Sequence, residues 1–191
     1  MSQKEQLLAG ARACLIERGY AHTTARDIAA ASGANLASIG YHFGSKDALL
    51  NAAVVELVEE WGDRITGAVE EIDAPTPTER LEEFVRGILA AGPDERKIIL
   101  ASVQAFAQAE FIPEIRDQLQ NTYTRGRVDL SALVLGIPHE EVTDEQAATV
   151  GSVSLSLING AVLQWLLDPV AAAGAARITD AVRTLSGNPG P

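Results

Sequence analysis

The sequence predicts an all-α fold: a three-helix helix-turn-helix unit at the N-terminus followed by a six-helix bundle. Three observations carry this. Apolar residues recur at spacings of three and four, and no segment alternates with period two over any length. Aromatic residues, which strands favour, make up only 5% of the chain. Glycine, proline and capping residues cut the chain into nine segments of helical length. With 191 residues, 47% of them apolar and 21% charged, the chain can bury a core and falls outside the disordered and fibrous classes.

Leu7, Leu8, Ala11, Cys14 and Leu15 stripe the first helix, which Gly19 ends. Thr24 stands three residues before Asp27, a capping-box variant that opens a short helix through about Ser32, closed by Gly33. A third short helix is predicted from about Asn35 to Phe43. Gly44-Ser45 then breaks the chain, and Ser45 caps a long helix carrying Leu49, Leu50, Ala53, Val54, Leu57, Val58, Trp61 and Ile65, read as far as about Ile72. Residues 73–78, rich in Pro and Thr, form a loop. Leu81, Phe84, Val85, Ile88 and Leu89 mark the next helix, closed by Gly92-Pro93. The stretch from Ile98 to Ala109 is apolar all round and reads as buried. Pro113 starts a helix with Ile115, Leu119, Tyr123, Leu130, Leu133 and Val134, stopped by Gly136-Ile137-Pro138. A long apolar helix follows from about Thr143 to Leu167. The last helix shows Ile178, Ala181, Val182 and Leu185 at i, i+3, i+4, i+7, and residues 188–191 are expected to fray.

No apolar run approaches the roughly 18 residues of a membrane span, and the N-terminus has no long apolar stretch with a cleavage site, so a cytoplasmic protein without membrane association is predicted. The single Cys14 excludes an internal disulfide framework and a cysteine-cluster zinc site, and its place on an apolar stripe marks it as core. His22, His42 and His139 lack ligand spacing, and neither a glycine-rich phosphate loop nor a GxSxG elbow is present. No catalytic residue, metal or cofactor is therefore assigned, and the chain reads as a non-enzyme. The net charge of −11 is unevenly spread. Residues 1–50 carry five basic side chains against four acidic, a net +1, which leaves ten basic and 22 acidic in residues 51–191, a net −12. Contact with nucleic acid, if made, belongs to the first 50 residues.

Thr23 to Leu50 is the informative segment. Two short helices around a glycine-containing turn match a helix-turn-helix. Ala29 and Ala30 are expected to let the second helix cross closely, and Gly33 permits the positive-φ turn. Ile28, Leu36, Ile39 and Phe43 can be buried together, which leaves Ala34, Asn35, Ala37, Ser38, Tyr41 and His42 outward at the helix that such motifs present to the major groove. Thr24 and Lys46 open the flanking helices, where hydroxyl and ammonium groups suit phosphate. Lys46 is unfavourable for its own helix dipole, which favours an external anion.

The run Thr23-Thr24-Ala25-Arg26-Asp27-Ile28-Ala29-Ala30-Ala31-Ser32-Gly33, then Ala34-Asn35-Leu36-Ala37-Ser38-Ile39-Gly40-Tyr41-His42-Phe43, then Gly44-Ser45-Lys46-Asp47-Ala48-Leu49-Leu50, resembles the DNA-binding region of the TetR family of bacterial transcriptional regulators. One departure is Gly40, where family members commonly carry a tyrosine that meets the DNA backbone. The resemblance implies a homodimer, each subunit placing its third helix in a major groove of an inverted-repeat operator. A small-molecule effector bound in the C-terminal region would move the fourth helix and release the DNA, making the chain a repressor. The contacts it assigns to double-stranded DNA are Thr24, Ala34, Asn35, Ala37, Ser38, Tyr41, His42 and Lys46. Domain bounds follow as 1–47 for DNA binding and 48–187 for effector binding and dimerisation, with 188–191 as tail.

The stripe Ala147, Gly151, Ser154, Ile158, Ala161 and Trp165, mostly small residues ending in a large anchor, is expected to pair with a second copy together with Ile178, Val182 and Leu185. The other reading of the same stripe is an ordinary intramolecular bundle. Effector candidates are Trp61, Phe84, Gln104, Phe106, Phe111, Tyr123, Arg127 and Asn159, on helices that would surround a cavity; for any single aromatic core packing is the stronger reading, and Arg127 could as easily pair with a surface acid. The rival class is an all-α ligand-binding or protein-interaction module whose DNA head is weak or lost. Gly40 and the −12 of the larger part support it.

Overall fold

The computed structural model describes residues 2–70, 74–170, 172 and 174–187. Among the described residues there are nine helices and no strand. They are α1 (Gln3–Arg18), α2 (Ala25–Ser32), α3 (Ala37–Phe43), α4 (Lys46–Glu70), α5 (Pro77–Leu89), α6 (Pro93–Ala109), α7 (Pro113–Leu135), α8 (Asp144–Leu167) and α9 (Ala175–Leu185). Single 3-10 turns sit at Tyr20–His22 and His139–Glu141. The expected extension of the fourth helix to Ile72 and the expected fraying of residues 188–191 lie outside the described residues.

Local chemistry sets the helix starts. The Thr24–Asp27 capping box forms, and three more share its spacing: Ser2 with Glu5, Thr76 with Glu79, and Thr143 with Gln146. In each, a hydroxyl accepts from the third backbone N–H of the helix while that residue's side chain accepts from the cap's own N–H. Pro77 and Pro93 occupy first-turn positions, where a missing N–H costs nothing. Ser45 Oγ accepts from the Ala48 N–H at 3.0 Å and so caps α4.

The helices group into two compact units. The first takes residues up to Trp61 together with Gly92–Thr122, and the second takes Gly62–Ala91 and the chain from Tyr123 onward. The expected boundary at 47 falls inside α4. Leu49, Leu50, Ala53, Val54 and Leu57 of α4 form one core with Leu7, Ala11, Cys14 and Leu15 of α1, with Ile28 and Ile39, and with Ile98 and Ala101 of α6. Across this unit Arg12 of α1 pairs with Glu56 and Glu60 of α4, and Lys97 of α6 donates to the Ile16 carbonyl of α1.

Two expectations about this unit are corrected, for Leu36 and for α6. Leu36 is 46% exposed and stands outside the core, because α3 begins one residue after it. Ala29 is half-buried and Ala30 exposed, and α1 approaches α2 closely at Gly10, where a Cβ would sit 2.8 Å from Ser32 Cβ and 3.1 Å from the Ile28 carbonyl. The apolar surface of α6 is not buried all round: Ile98, Ile99, Ala101 and Ala105 are inside, but Leu100 and Phe106 are exposed.

In the second unit α5 packs on α8 and α9 through Leu81, Phe84, Val85 and Ile88. Arg80 ties α5 to the end of α7 by donating to the Val134 carbonyl at 3.0 Å, and buried Thr179 of α9 donates to Glu82 at 2.9 Å. Near its start α8 carries a π-bulge over Ala147–Gly151. Ser131 of α7 donates to the Gln146 carbonyl beside the bulge at 3.1 Å, which supplies a partner there. Gly151 lies so close to α7 that a Cβ would fall 2.1 Å from the Arg127 carbonyl oxygen. By length and composition α8 is apolar enough to cross a membrane, contrary to the reading of the sequence in short runs. Here one stripe of it is packed inside the unit: Gly151, Ser154, Ile158 and Trp165 are buried.

Substituting Gly151→Ala should destabilise the fold by about 1–3 kcal/mol or more, because backbone rather than a flexible side chain must move. Gly126→Ala on α7 should stabilise by roughly 0.5–1 kcal/mol, since its Cβ would meet nothing. Thermal melts of the two variants against the parent should shift in opposite directions.

Candidate nucleic-acid interface

The presented surface is built by α2, the turn after it, and α3. Thr24 Oγ1 donates to Asp27 Oδ2 at 2.6 Å, and the Thr24 N–H donates to the same oxygen at 2.9 Å. Arg18 at the end of α1 reaches Asp27 Oδ1 at 2.7 Å. These bonds, Thr24's first, hold the Asp27 carboxyl below its ordinary value. The turn is set by Gly33 in the left-handed region at φ 67°, followed by the Ala34 N–H donating to Ser32 Oγ at 3.2 Å. Asn35 Oδ1 then accepts from the Ala37 N–H at 3.0 Å, so Asn35 caps the start of α3 and its amide nitrogen has no hydrogen bond among the described residues.

Of the expected DNA contacts, Thr24, Asn35, Ala37 and Tyr41 are exposed, with Tyr41 at 86%, while Ala34, Ser38, His42 and Lys46 are half-buried. Tyr41 and His42 meet edge to face at 4.8 Å, and His42 Nε2 lies 3.4 Å from Gln3 Oε1. Gly40 is exposed, and a Cβ there would meet nothing. The Lys46 ammonium rests on three groups: the Asp47 carboxylate at 2.9 Å, the Thr23 carbonyl at 3.4 Å, and the Tyr20 ring at 5.9 Å. Burial pushes the Tyr20 hydroxyl up to about 12. One exposed cation of this surface escaped the sequence reading. Arg26 sits in the first turn of α2 and makes no ion pair among the described residues. The signal was available, since a cation in a first turn opposes the helix dipole, the argument applied to Lys46.

The effector candidates divide. Trp61, Gln104, Phe106 and Phe111 belong to the first unit, and Phe84, Tyr123, Arg127 and Asn159 to the second. One pair meets: the Asn159 amide donates to the Tyr123 hydroxyl at 2.8 Å. Burial raises the Tyr123 hydroxyl above its ordinary value, against that hydrogen bond and the nearby charge of Arg127. Phe84 is core, while Phe111 is 83% exposed at the end of α6. An open cleft of about 500 Å³ in the second unit is lined instead by Arg86, Leu89 and Ala90 of α5 with residues 174–177 at the start of α9. Among the described residues no group of three or more His, Cys, Asp or Glu side chains is placed to hold a metal ion.

Of the stripe expected to meet a second copy, Gly151, Ser154, Ile158 and Trp165 are buried within the unit and Ala161 is half-buried, and at Gly151 the close neighbour is α7. The opposite face of α8 is the apolar surface left open, with Val153 at 59%, Leu163 at 47% and Leu167 at 88% exposure. On α9, Leu185 is 89% exposed, and Ile178 and Val182 are half-buried.

A family described as "Bacterial regulatory proteins, tetR family" matches residues 7–53, and one described as "BetI-type transcriptional repressor, C-terminal" matches residues 77–186. The chain is similar to "Probable HTH-type transcriptional regulator YttP" of Bacillus subtilis, at 26% identity over 98 residues, 51% of this chain and 47% of that protein. The match thus spans about half the length of this curated relative. A solved structure of a putative transcriptional regulator from Rhodococcus sp. RHA1 superimposes with a TM-score of 0.74 at 17% identity, covering 99% of this chain and 97% of the other. Another, a putative transcriptional regulator from Saccharomonospora viridis in complex with choline, gives 0.62 at 22% identity over 96% and 95%. At these identities both establish the fold.

The Asp27 cap has a pH signature. A carboxyl depressed in the folded state contributes stability that is full above its unfolded value, near 3.8, and is lost as pH falls through the lower folded value. Thr24→Ala removes the largest cause of the depression. The melting temperature of that variant should fall less steeply than the parent's as pH drops below about 4, and it should be lower than the parent's at neutral pH, as for a lost helix cap.

Proposed function

The chain belongs to the TetR family of bacterial regulatory proteins, and on that premise we propose that it is a dimeric DNA-binding transcriptional regulator, a cytoplasmic repressor released from an inverted-repeat operator by a small-molecule effector. The observation that carries the reading is the exposed set on and before α3 (Asn35, Ala37 and Tyr41), held at fixed register by the Gly33 turn and flanked by Lys46 at the start of α4. In this reading Asn35, Ser38, Tyr41 and His42 read bases with Ala34 and Ala37 against the groove, while Thr24, Arg26 and Lys46 meet phosphate. The absent side chain at Gly40 removes one backbone contact and leaves the recognition helix with a weaker intrinsic propensity, by roughly 1 kcal/mol.

The dimer face in this proposal is the open stripe Val153, Leu163 and Leu167 of α8 with Leu185 of α9. These are large apolar side chains exposed on neighbouring elements of the chain, and apolar surface of this kind calls for cover. The effector site is assigned to the second unit, where Tyr123 and Asn159, both inside the matched C-terminal family region, form a half-buried polar pair. A net charge of −12 over residues 51–191 favours a cationic or neutral effector over an anionic one. The choline held by the Saccharomonospora relative is in keeping with that.

Selection of binding sites from a random duplex pool at defined salt should enrich an inverted repeat with half-sites about one helical turn or slightly more apart. Absence of enrichment by folded protein would favour the ligand-binding module that has lost its reading head. Lys46→Ala should weaken binding to all sequences alike and reduce the salt slope by about 1, whereas substitution of Asn35 or Ser38 should change the preferred bases. Leu167→Glu should yield folded monomer by analytical ultracentrifugation, and Ser154→Glu should unfold the chain instead.

A further inference from the structure

Leu36 is a large apolar side chain left in water. It is 46% exposed, whereas Ile39, three residues on, is 4% exposed and anchors α3. Leu36 already has helical φ and ψ, −53° and −39°, so the angular step of the helix runs through it. With Leu36 at zero, a step of about 100° puts Gly40 at about 40°, Ala37 at about 100° and Tyr41 at about 140°. Those four are the exposed residues of the segment, and Ser38, Ile39, His42 and Phe43 on the other side are buried or half-buried. The exposed sector carries no charged side chain, and its one polar side-chain group is the Tyr41 hydroxyl at the far edge. Gly40 stands next to Leu36, and a Cβ there would meet nothing, so that flank of the leucine is bare. On the preceding residue, Asn35 Oδ1 is engaged by the Ala37 N–H at 3.0 Å, and the part left open is Nδ2, a donor.

The four bases differ in what they offer such a surface. In the major groove thymine alone presents an apolar group, its C5-methyl, and beside it the O4 acceptor. A leucine gains nothing from the acceptors of guanine or from the amino groups of adenine and cytosine. We infer that Leu36 is a specificity-determining residue that selects thymine by packing on its C5-methyl, with Asn35 Nδ2 suited to O4 on the same edge. The inference rests on the reading of α3 as the helix that enters the major groove. The missing side chain at Gly40 then has a use, since it lets the methyl reach the leucine. Apolar surface that stays wet in the free protein is covered on the matching site and stays wet on others.

The test uses the full chain and the repeat it enriches from a random duplex pool. Each half-site should contain a thymine whose preference Leu36→Ala loses, while the other positions keep theirs. Deoxyuridine in place of that thymine keeps the base pair and O4 and removes the methyl alone. The parent should lose about fourfold in affinity per half-site, the worth of one buried methyl, and Leu36→Ala less than about 1.5-fold. Deoxyuridine at the other thymines controls for a change in DNA shape. Equal losses at every thymine, or equal losses in both proteins, would overturn the inference, because shape or another side chain would then read the methyl. A Leu36→Ala protein that binds all duplexes more weakly by one common factor would overturn it too, since the leucine would then only support the fold. Should Leu36→Ala fail to melt cooperatively, Leu36→Gln takes its place; it keeps the length, presents an amide, and should exchange the thymine preference for adenine. If the folded parent enriches no repeat, the reading of α3 fails and the inference falls with it, an outcome distinct from an enriched repeat in which no thymine depends on Leu36.

Discussion

Helices of eight and seven residues do not hold themselves in water, because a helix this short cannot repay its nucleation. Everything α2 and α3 present therefore depends on what holds them down. Ile28 at 0% and Ile39 at 4% exposure are the two apolar anchors, and each fully buried side chain of this size is worth about 1.5–3 kcal/mol. They insert between α1 and the first half of α4, where Leu7, Ala11, Leu49, Leu50 and Ala53 are closed to solvent. Gly10 sets how near α2 can come, and Gly33 sets the angle at which α3 leaves. The outward residues of α3 are thus placed by contacts on the side they do not show.

The same logic, with the opposite result, governs the second unit. A stripe of small residues permits close approach but does not say by what. On α8 the approach at Gly151 is taken by α7, whose Arg127 carbonyl fills the space a Cβ would need, and the bulge beside it re-registers the helix so that Ser154, Ile158 and Trp165 follow Gly151 inward. The face left outside is larger in side chain and equally apolar. Small residues mark the tight contact within the chain, and Val153, Leu163 and Leu167 mark the surface still available to be covered.

This distinction shows where the sequence was readable. Helix number, the helix-turn-helix, the Thr24 cap and the Gly33 turn follow from local rules, and the structure carries them. Three further capping boxes share the Thr24 spacing and were open to the same rule. What periodicity cannot supply is the partner of a face. An amphipathic pattern gives a stripe, yet α8 and α6 are apolar on more than one side, so α6 was read as buried all round although Leu100 and Phe106 are exposed. Leu36 failed for another reason. It lies at a helix boundary, where a displacement of one residue turns a side chain by about 100°. The buried Tyr20–Asn51 hydrogen bond joins residues from separated segments, and no local pattern announces it.

The electrostatics constrain how such a head can bind. Residues 1–50 have a net charge of only +1, and of the cations among them Arg12 and Arg18 are already committed to carboxylates. Lys4, Arg26 and Lys46 remain, and Lys46 already has a carboxylate at 2.9 Å to leave or share. Each phosphate neutralised releases about one counterion, so a single head offers a weak, shallow salt dependence. In the proposed dimer, two heads on one duplex would double the released counterions, and the second would bind at an effective concentration set by the dimer. The net −12 of residues 51–191 repels phosphate meanwhile, so attraction to DNA rests on the first 50 residues. For a chain of this charge pattern the electrostatic term of one head is small, so in the proposed regulator tight binding would call on paired heads and base contacts together.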